Sequence, residues 1–270
     1  MKAGQVVSVS FWPVPNLGSS QKDSQAYGTL IQQMRLLAKA VKATKPQTVV
    51  VFSRYQYMLP DAVGYSPQPR LRGELTVDND TMASLGMETD SILLNRIISK
   101  SRLFGVPLMN ILEQMPTLSV SDYLLHPTAL IPLYFLKEAG IGAKQIVRLT
   151  VGRISYEDLY TLGCVLVSAS QDTSRRVAII GAGNLLPTRT INREDVSIEQ
   201  NTLLMQALAD KELSYLQEIG YQSADEYVGR VAALLIGAAS QSRADLTMHM
   251  YTEIENQRMG LLHYVTKENK

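Results

Sequence analysis

SQAYGTLIQQMRLLAKAVKATKPQTVVVF, residues 24–52, carries the pattern that sets the fold class. Leu30, Ile31, Met34, Leu37, Ala38 and Val41 fall on one face of a 3.6-residue helix. Lys45-Pro46 stops that helix, because proline disfavours helical geometry in the residue before it. Thr48-Val49-Val50-Val51-Phe52 follows, a β-branched run with no polar alternation, as in a strand covered on both faces. A helix feeding such a strand is the repeating unit of an α/β protein with a parallel sheet.

The same alternation extends in both directions. Met1 to Ser10 reads as a strand, followed by a proline-rich turn over Phe11 to Asn16. Downstream, a helix over Ser91 to Phe104 leads to Val106-Pro107-Leu108-Met109, and a helix over Ile131 to Ala139 precedes a strand over Gln145 to Val151. Ser155, with Asp158 three positions on, is a candidate N-cap for a helix reaching Ser170, and Arg176 to Ile180 is the next buried strand. Ile198 to Gln217 and Ala224 to Ala239 read as helices, and Leu246 to Ile254 with Met259 to Val265 as a terminal hairpin. The expectation is one α/β domain over residues 1–270, with a mostly parallel central sheet, helices on both faces and a C-terminal hairpin. Arg54 to Met87 shows no clear period and is expected to be a functional loop system. In such sheets ligands bind beyond the carboxyl ends of the strands. Chemistry is therefore sought in residues 13–16, 53–57, 118–127 and 181–190.

Composition narrows the classes. The chain has 270 residues, 46% apolar and 19% charged, with 26 Lys+Arg against 25 Asp+Glu. A net charge of +1 gives no cationic footprint for nucleic acid. No apolar run approaches the roughly 20 residues that span a bilayer, and the N-terminus lacks a secretory signal pattern. A single cysteine, Cys164, excludes an internal disulfide framework. A cytoplasmic protein is expected. Cys164 lies in a helical pattern and reads as a small core residue rather than a nucleophile. Gly181-Ala182-Gly183 after a strand invites a dinucleotide-binding reading, but the third glycine is replaced by Leu186 and Pro187 follows. Sharp turning after a buried strand is the stronger reading. No Gly-x-Ser-x-Gly elbow accompanies the three histidines, His126, His249 and His263. His249 and His263 read as structural; His126 sits at a loop-to-helix boundary on the expected ligand edge.

The run His126-Pro127-Thr128-Ala129-Leu130-Ile131-Pro132-Leu133-Tyr134-Phe135-Leu136 resembles the Asp-His-Gly-x-x-x-Pro-Leu-Tyr-Phe-Leu signature of class III extradiol ring-cleavage dioxygenases, in their B-type subunits, and of the Memo-like relatives of these enzymes. Arg176 to Pro187 is similar to the family strand ending in Gly-Asp-Leu-Ser-His. Asp61-Ala62-Val63, Pro69 to Leu75 and Ser155 to Tyr160 add further pieces in the same order. The resemblance implies a non-haem Fe(II) held by two histidines and a carboxylate, with a catechol-type substrate and O2 at the open positions.

Matched position by position, most of that site is absent. The Pro-His-Pro loop reads Pro13-Val14-Pro15, so Val14 stands at the first ligand position. The Ser-Pro-His loop reads Ser53-Arg54-Tyr55, putting Tyr55 at the second. The acid–base histidine aligns with Pro187 and its aspartate with Asn184. His126 alone remains of the family's histidines, and Glu226 or Tyr227 occupies the carboxylate position. Valine and proline offer no electron pair, and a phenol with a pKa near 10 is a poor Fe(II) ligand. The expectation is a metal-site-depleted, non-catalytic homologue with no cofactor, acting as a binding or partner subunit. Its partner would be an intact paralogue or a second copy, its ligand a small aromatic or other small molecule, with neither nucleic acid nor membrane involved. The alternative is an active dioxygenase-like oxidoreductase with a rebuilt site at Tyr55, His126 and Glu226, in which Tyr55 and His126 act as acid and base. The cleft is expected to be lined by Pro13, Val14, Pro15, Ser53, Asn184 and Pro187.

Overall fold

The computed structural model describes residues 4–17, 24–54, 59–78, 81–114, 124–141, 145–185, 194–219, 226–254 and 257–267. The central sheet runs β4(Arg70–Asp78), β5(Thr81–Thr89), β7(Gln145–Thr150), β2(Thr48–Phe52), β8(Arg176–Ala182), β1(Gln5–Trp12), β10(Gln257–Thr266), β9(Ala244–Ile254). The neighbours from β5 through β1 are parallel, whereas β4, β10 and β9 join antiparallel. The α/β fold with a mostly parallel sheet and a C-terminal hairpin is thus as the sequence predicts. That hairpin, β9–β10, extends the sheet through β1.

Strand periodicity of two divides the apolar residues between two cores. Val49 and Val51 of β2 face α1(Gln25–Ala43) and α4(Pro127–Glu138). Val50 and Phe52 face the core made with α2(Ser91–Leu103), α5(Tyr156–Asp172), α6(Glu194–Asp210), α7(Ser214–Ile219) and α8(Glu226–Gln241). On α1, Leu30, Met34, Leu37 and Val41 are fully buried, each stabilising the fold by roughly 1.5–3 kcal/mol. Ser24 caps α1 by accepting from the Tyr27 N–H at 3.2 Å.

Two expectations are corrected. Residues 54–87 are not a loop system. Beyond Arg54 and the undescribed 55–58, the stretch forms β3(Val63–Tyr65) and the hairpin β4–β5. Only Leu71, Leu75 and Leu85 of that hairpin are buried leucines, so its solvent face hides the period. Residues 198–217 are two helices, not one: Lys211 has φ 59° and separates α6 from α7. Two short elements complete the chain, β6(Leu108–Asn110), paired with β3, and α3(Ile111–Gln114).

Among the described residues no helix is long and apolar enough to cross a membrane.

Candidate functional site

The carboxyl ends of β1, β2, β7 and β8 lie side by side, and each delivers residues singled out in the sequence. After β1, Pro13 and Pro15 are buried and Val14 half-buried. Val14 is held through its main chain. Its N–H donates to Asn184 Oδ1 at 2.8 Å, and Asn184 Nδ2 donates to the Val14 carbonyl at 2.9 Å. The Asn184 amide therefore continues the β1–β8 pairing one step beyond the strands, with Gly183 N–H donating to the Trp12 carbonyl at 3.0 Å. Asn184, which stands at the aspartate of the resembled motif, joins two loops.

The glycines here do not make a sharp turn. Gly181 belongs to β8, and Leu185 N–H still reaches the Arg258 carbonyl at 3.0 Å. A methyl group on Gly183 would lie 2.6 Å from Val228 Cγ2, so this glycine admits α8. The space above it is filled by a helix side chain, which leaves no room there for a dinucleotide phosphate.

After β2, Ser53 is fully buried and its hydroxyl donates to the Arg54 carbonyl at 3.1 Å. The Arg54 N–H donates to Thr128 Oγ1 at 2.9 Å. Thr128 in turn lies 3.0 Å from His126 Nδ1, which also accepts from the Thr128 N–H at 3.2 Å. His126 is the N-cap of α4, with φ −72° and ψ 154°, and Pro127 supplies the first helical residue. Nδ1 accepts hydrogen bonds at the cap, so the neutral ring carries its proton on Nε2; this tautomer is assigned from the network. Burial lowers the His126 pKa below its ordinary 6.5, and the charges of Arg54 and Arg148 lower it further.

From the opposite face, Tyr227 in the first turn of α8 is buried, and its hydroxyl donates to the Phe52 carbonyl at 3.2 Å. The Arg54 guanidinium carbon stands 5.2 Å from the centre of its ring. Arg230 donates to the Ile154 carbonyl beyond β7, its guanidinium carbon 5.9 Å from the Tyr156 ring centre. Tyr227, one of two residues considered for the carboxylate ligand position, is thus engaged by main chain and cation.

The structure brings together Val14, Ser53, His126, Asn184 and Tyr227 at one sheet edge. Tyr55, Pro187 and the Glu226 side chain lie outside the described residues. His249 is exposed on β9. His263 is buried between Ser8 and Thr247. Cys164 is half-buried rather than a core residue. Its thiol donates to the Gly237 carbonyl at 3.7 Å, and burial raises its pKa.

An extradiol iron site needs three side chains that each offer an electron pair. Of the ligand positions that the resemblance implies, Val14 offers none, and Tyr55 and the Glu226 side chain lie outside the described residues. Val14 does not fit the iron. Among the described residues no group of three His, Cys, Asp or Glu side chains is placed to hold a metal. Arg54, Arg148, Arg153, Arg230 and Arg258 stand at chain positions near this edge, with Arg54 stacked over Tyr227 and Arg230 over Tyr156. Reasoning from the sequence passed over Arg148. Its signal is a charge inside the otherwise apolar run Ile146-Val147-Arg148-Leu149.

No family model matches the chain, and no curated protein matches it significantly in sequence. An uncharacterized protein from Escherichia coli K12, known from its crystal structure, is similar in fold. Its TM-score is 0.55 at 13% identity, over 95% of this chain and 99% of that one. The likeness extends along nearly the whole length of both chains and concerns the fold alone.

Proposed function

We propose that this chain is a divergent relative of the class III extradiol dioxygenases and Memo-like proteins that uses the carboxyl edge of its sheet to bind rather than to cleave rings. It works in the cytoplasm as a binding or partner subunit, alongside an intact paralogue or a second copy of itself. The observation that carries this reading is the state of His126. The one family histidine that remains spends Nδ1 on the cap of α4, which leaves its proton on Nε2. A metal ligand or general base needs a lone pair where this ring has a proton. Val14 at the first ligand position, fixed by Asn184, adds a side chain with no donor.

Anaerobic loading of the full chain with Fe(II), followed by metal analysis and oxygen-uptake assays on catechols and aminophenols, tests the reading. The expected outcome is substoichiometric iron and no uptake. Stoichiometric iron that is lost in His126→Ala overturns it. The competing reading, a rebuilt site at Tyr55, His126 and Glu226, draws support from the half-burial and lowered pKa of His126. It requires turnover that falls in Tyr55→Phe.

A further inference from the structure

β5 pairs with β7 only through Glu88 and Thr89, opposite Gln145 and Ile146. Its earlier residues run clear of β7, and the C-terminal half of α4 covers the opening. A pocket of about 210 Å³ lies there. Val49, Leu85, Leu133 and Leu136 form its buried wall, and Gly86 and Lys137, both exposed, stand at its mouth and give a molecule its way in. Protein interiors leave few voids larger than one water. This one exceeds the engineered apolar cavity of about 150 Å³ that takes up benzene. The glycine at the mouth also lacks a packing role. A glycine inside a strand weakens it and often marks a place where another group approaches the backbone closely. In β4, Gly73 makes room for Leu130, whereas a methyl group on Gly86 would meet nothing within 4 Å.

The edge of β5 supplies the polar part of the pocket. Hydrogen bonding alternates along the strand. The Thr89 N–H donates to the Pro69 carbonyl at 3.0 Å, on the β4 side, and the Asp90 N–H to the Ile146 carbonyl at 2.9 Å, on the β7 side. Counting back by twos from Asp90 turns the Gly86 N–H and C=O, and the Ser84 carbonyl, toward the opening. Lys137 Nζ donates to the Ser84 carbonyl at 3.2 Å. The two Gly86 groups bond to nothing among the described residues. Among the described residues lining the pocket, Lys137 alone has a polar side chain, and its ammonium is turned to Ser84. The pocket therefore offers an aliphatic wall with one donor and one acceptor side by side on a single residue. We infer that the pocket between β5 and α4 binds a small cyclic amide or an equivalent nitrogen heterocycle, its ring against Val49, Leu133 and Leu136 and its adjacent donor and acceptor on Gly86. The ligand continues the ladder that β7 begins two residues further along β5. The site lies at the C-terminal end of α4, away from His126 at the N-cap, and stands independently of how the carboxyl edge is used.

NMR titration of the isotopically labelled full chain tests the site, with 2-pyridone, N-methyl-2-pyridone and benzene as separate probes. 2-Pyridone is expected to shift the methyl signals of Val49, Leu133 and Leu136 together with the Gly86 amide, saturably. N-methylation removes the ligand's donor and is expected to weaken binding about 10-fold, as for loss of one hydrogen bond. Benzene should move the methyl signals and leave the Gly86 amide in place. Gly86→Pro deletes the N–H without breaking a bond of the ladder, and should weaken 2-pyridone about 10-fold while benzene binds as before. Leu136→Phe fills the pocket and should abolish binding of every probe, its fold checked by methyl signals remote from the site. The absence of saturable shifts at the three wall residues, or shifts that survive in Leu136→Phe, overturns the site. Equal affinity for 2-pyridone and its N-methyl derivative overturns the amide class, whether or not Gly86→Pro folds.

Discussion

Two histidines show how far a residue's chemistry depends on what surrounds it. His263 lies 1% exposed in β10. The Ser8 hydroxyl contacts its Nε2 at 2.9 Å and Thr247 Oγ1 its Nδ1 at 3.0 Å. Thr247 Oγ1 donates to the His263 carbonyl, which leaves it free to accept from Nδ1–H. Both ring nitrogens are satisfied in the neutral form, and burial pushes the pKa from 6.5 down to about 4. The unfolded chain binds a proton at this residue as pH falls through 6.5, while the folded chain does so only near 4. Stability contributed by neutral His263 is therefore complete above 6.5 and is lost progressively toward 4, a loss of about 3 kcal/mol. Urea unfolding of wild type and His263→Gln across that window should show a much shallower pH dependence in the variant.

His126 is governed by its neighbours as well as by burial. Removing the nearby positive charge in Arg54→Gln should raise its pKa toward 6.5, as read from imidazole carbon-proton shifts during a pH titration. An unchanged midpoint would mean that burial and Arg148 set the value without Arg54.

Among the elements, the packing of α5 against α8 depends on two glycines facing each other across the contact. A methyl group on Gly237 would stand 2.1 Å from the Tyr160 carbonyl oxygen, and one on Gly163 2.3 Å from that of Leu234. These obstacles are backbone atoms in helices, so relief requires moving a helix. Gly237→Ala is expected to destabilise the protein by about 1–3 kcal/mol despite alanine's better helix propensity, measurable by denaturant midpoint. The hairpin β4–β5 shows the opposite relation between sequence and structure. Its side chains meet one apolar face and one solvent face, and Gly73 and Gly86 interrupt the alternation. Its register comes from pairing, Leu71 opposite Met87 and Leu75 opposite Ala83, which is a long-range property. α1 and β2, with Leu30, Met34, Leu37 and Val41 on one buried helix face and Val49 to Phe52 covered on both sides, could be read directly. The break between α6 and α7 could not, since it depends on one lysine, Lys211, adopting a left-handed conformation.

In the molecule as a unit, one sheet serves two cores, so neither core can open without exposing strands that the other needs. A single calorimetric transition is expected on heating the full chain; two resolved transitions would show that the faces melt independently. The net charge of +1 is also redistributed by the fold. Arginines spread from 54 to 258 stand near the carboxyl edge of the sheet. Away from that edge, Asp172 holds Arg96 and Lys100, and Asp90 holds Arg175.

The α/β class, the helices whose apolar stripes face the sheet, the capped start of α5 at Ser155 and the placing of Val14, Ser53 and Asn184 just beyond strand ends were all legible in the order of residues alone. Each follows from local periodicity and short-range backbone hydrogen bonding, which a few neighbouring residues specify. Ser155 shows this directly: its hydroxyl accepts from the Asp158 N–H at 3.0 Å, a contact three residues long. What the edge contains depends instead on the folded arrangement. The clamp of Val14 by Asn184 spans 170 positions in the chain. The link from the Arg54 N–H to Thr128, and from Thr128 to His126, depends on where α4 lands against the end of β2. Electrostatic fields and hydrogen bonds act through space, and the order of residues along a chain does not state which distant ones will meet.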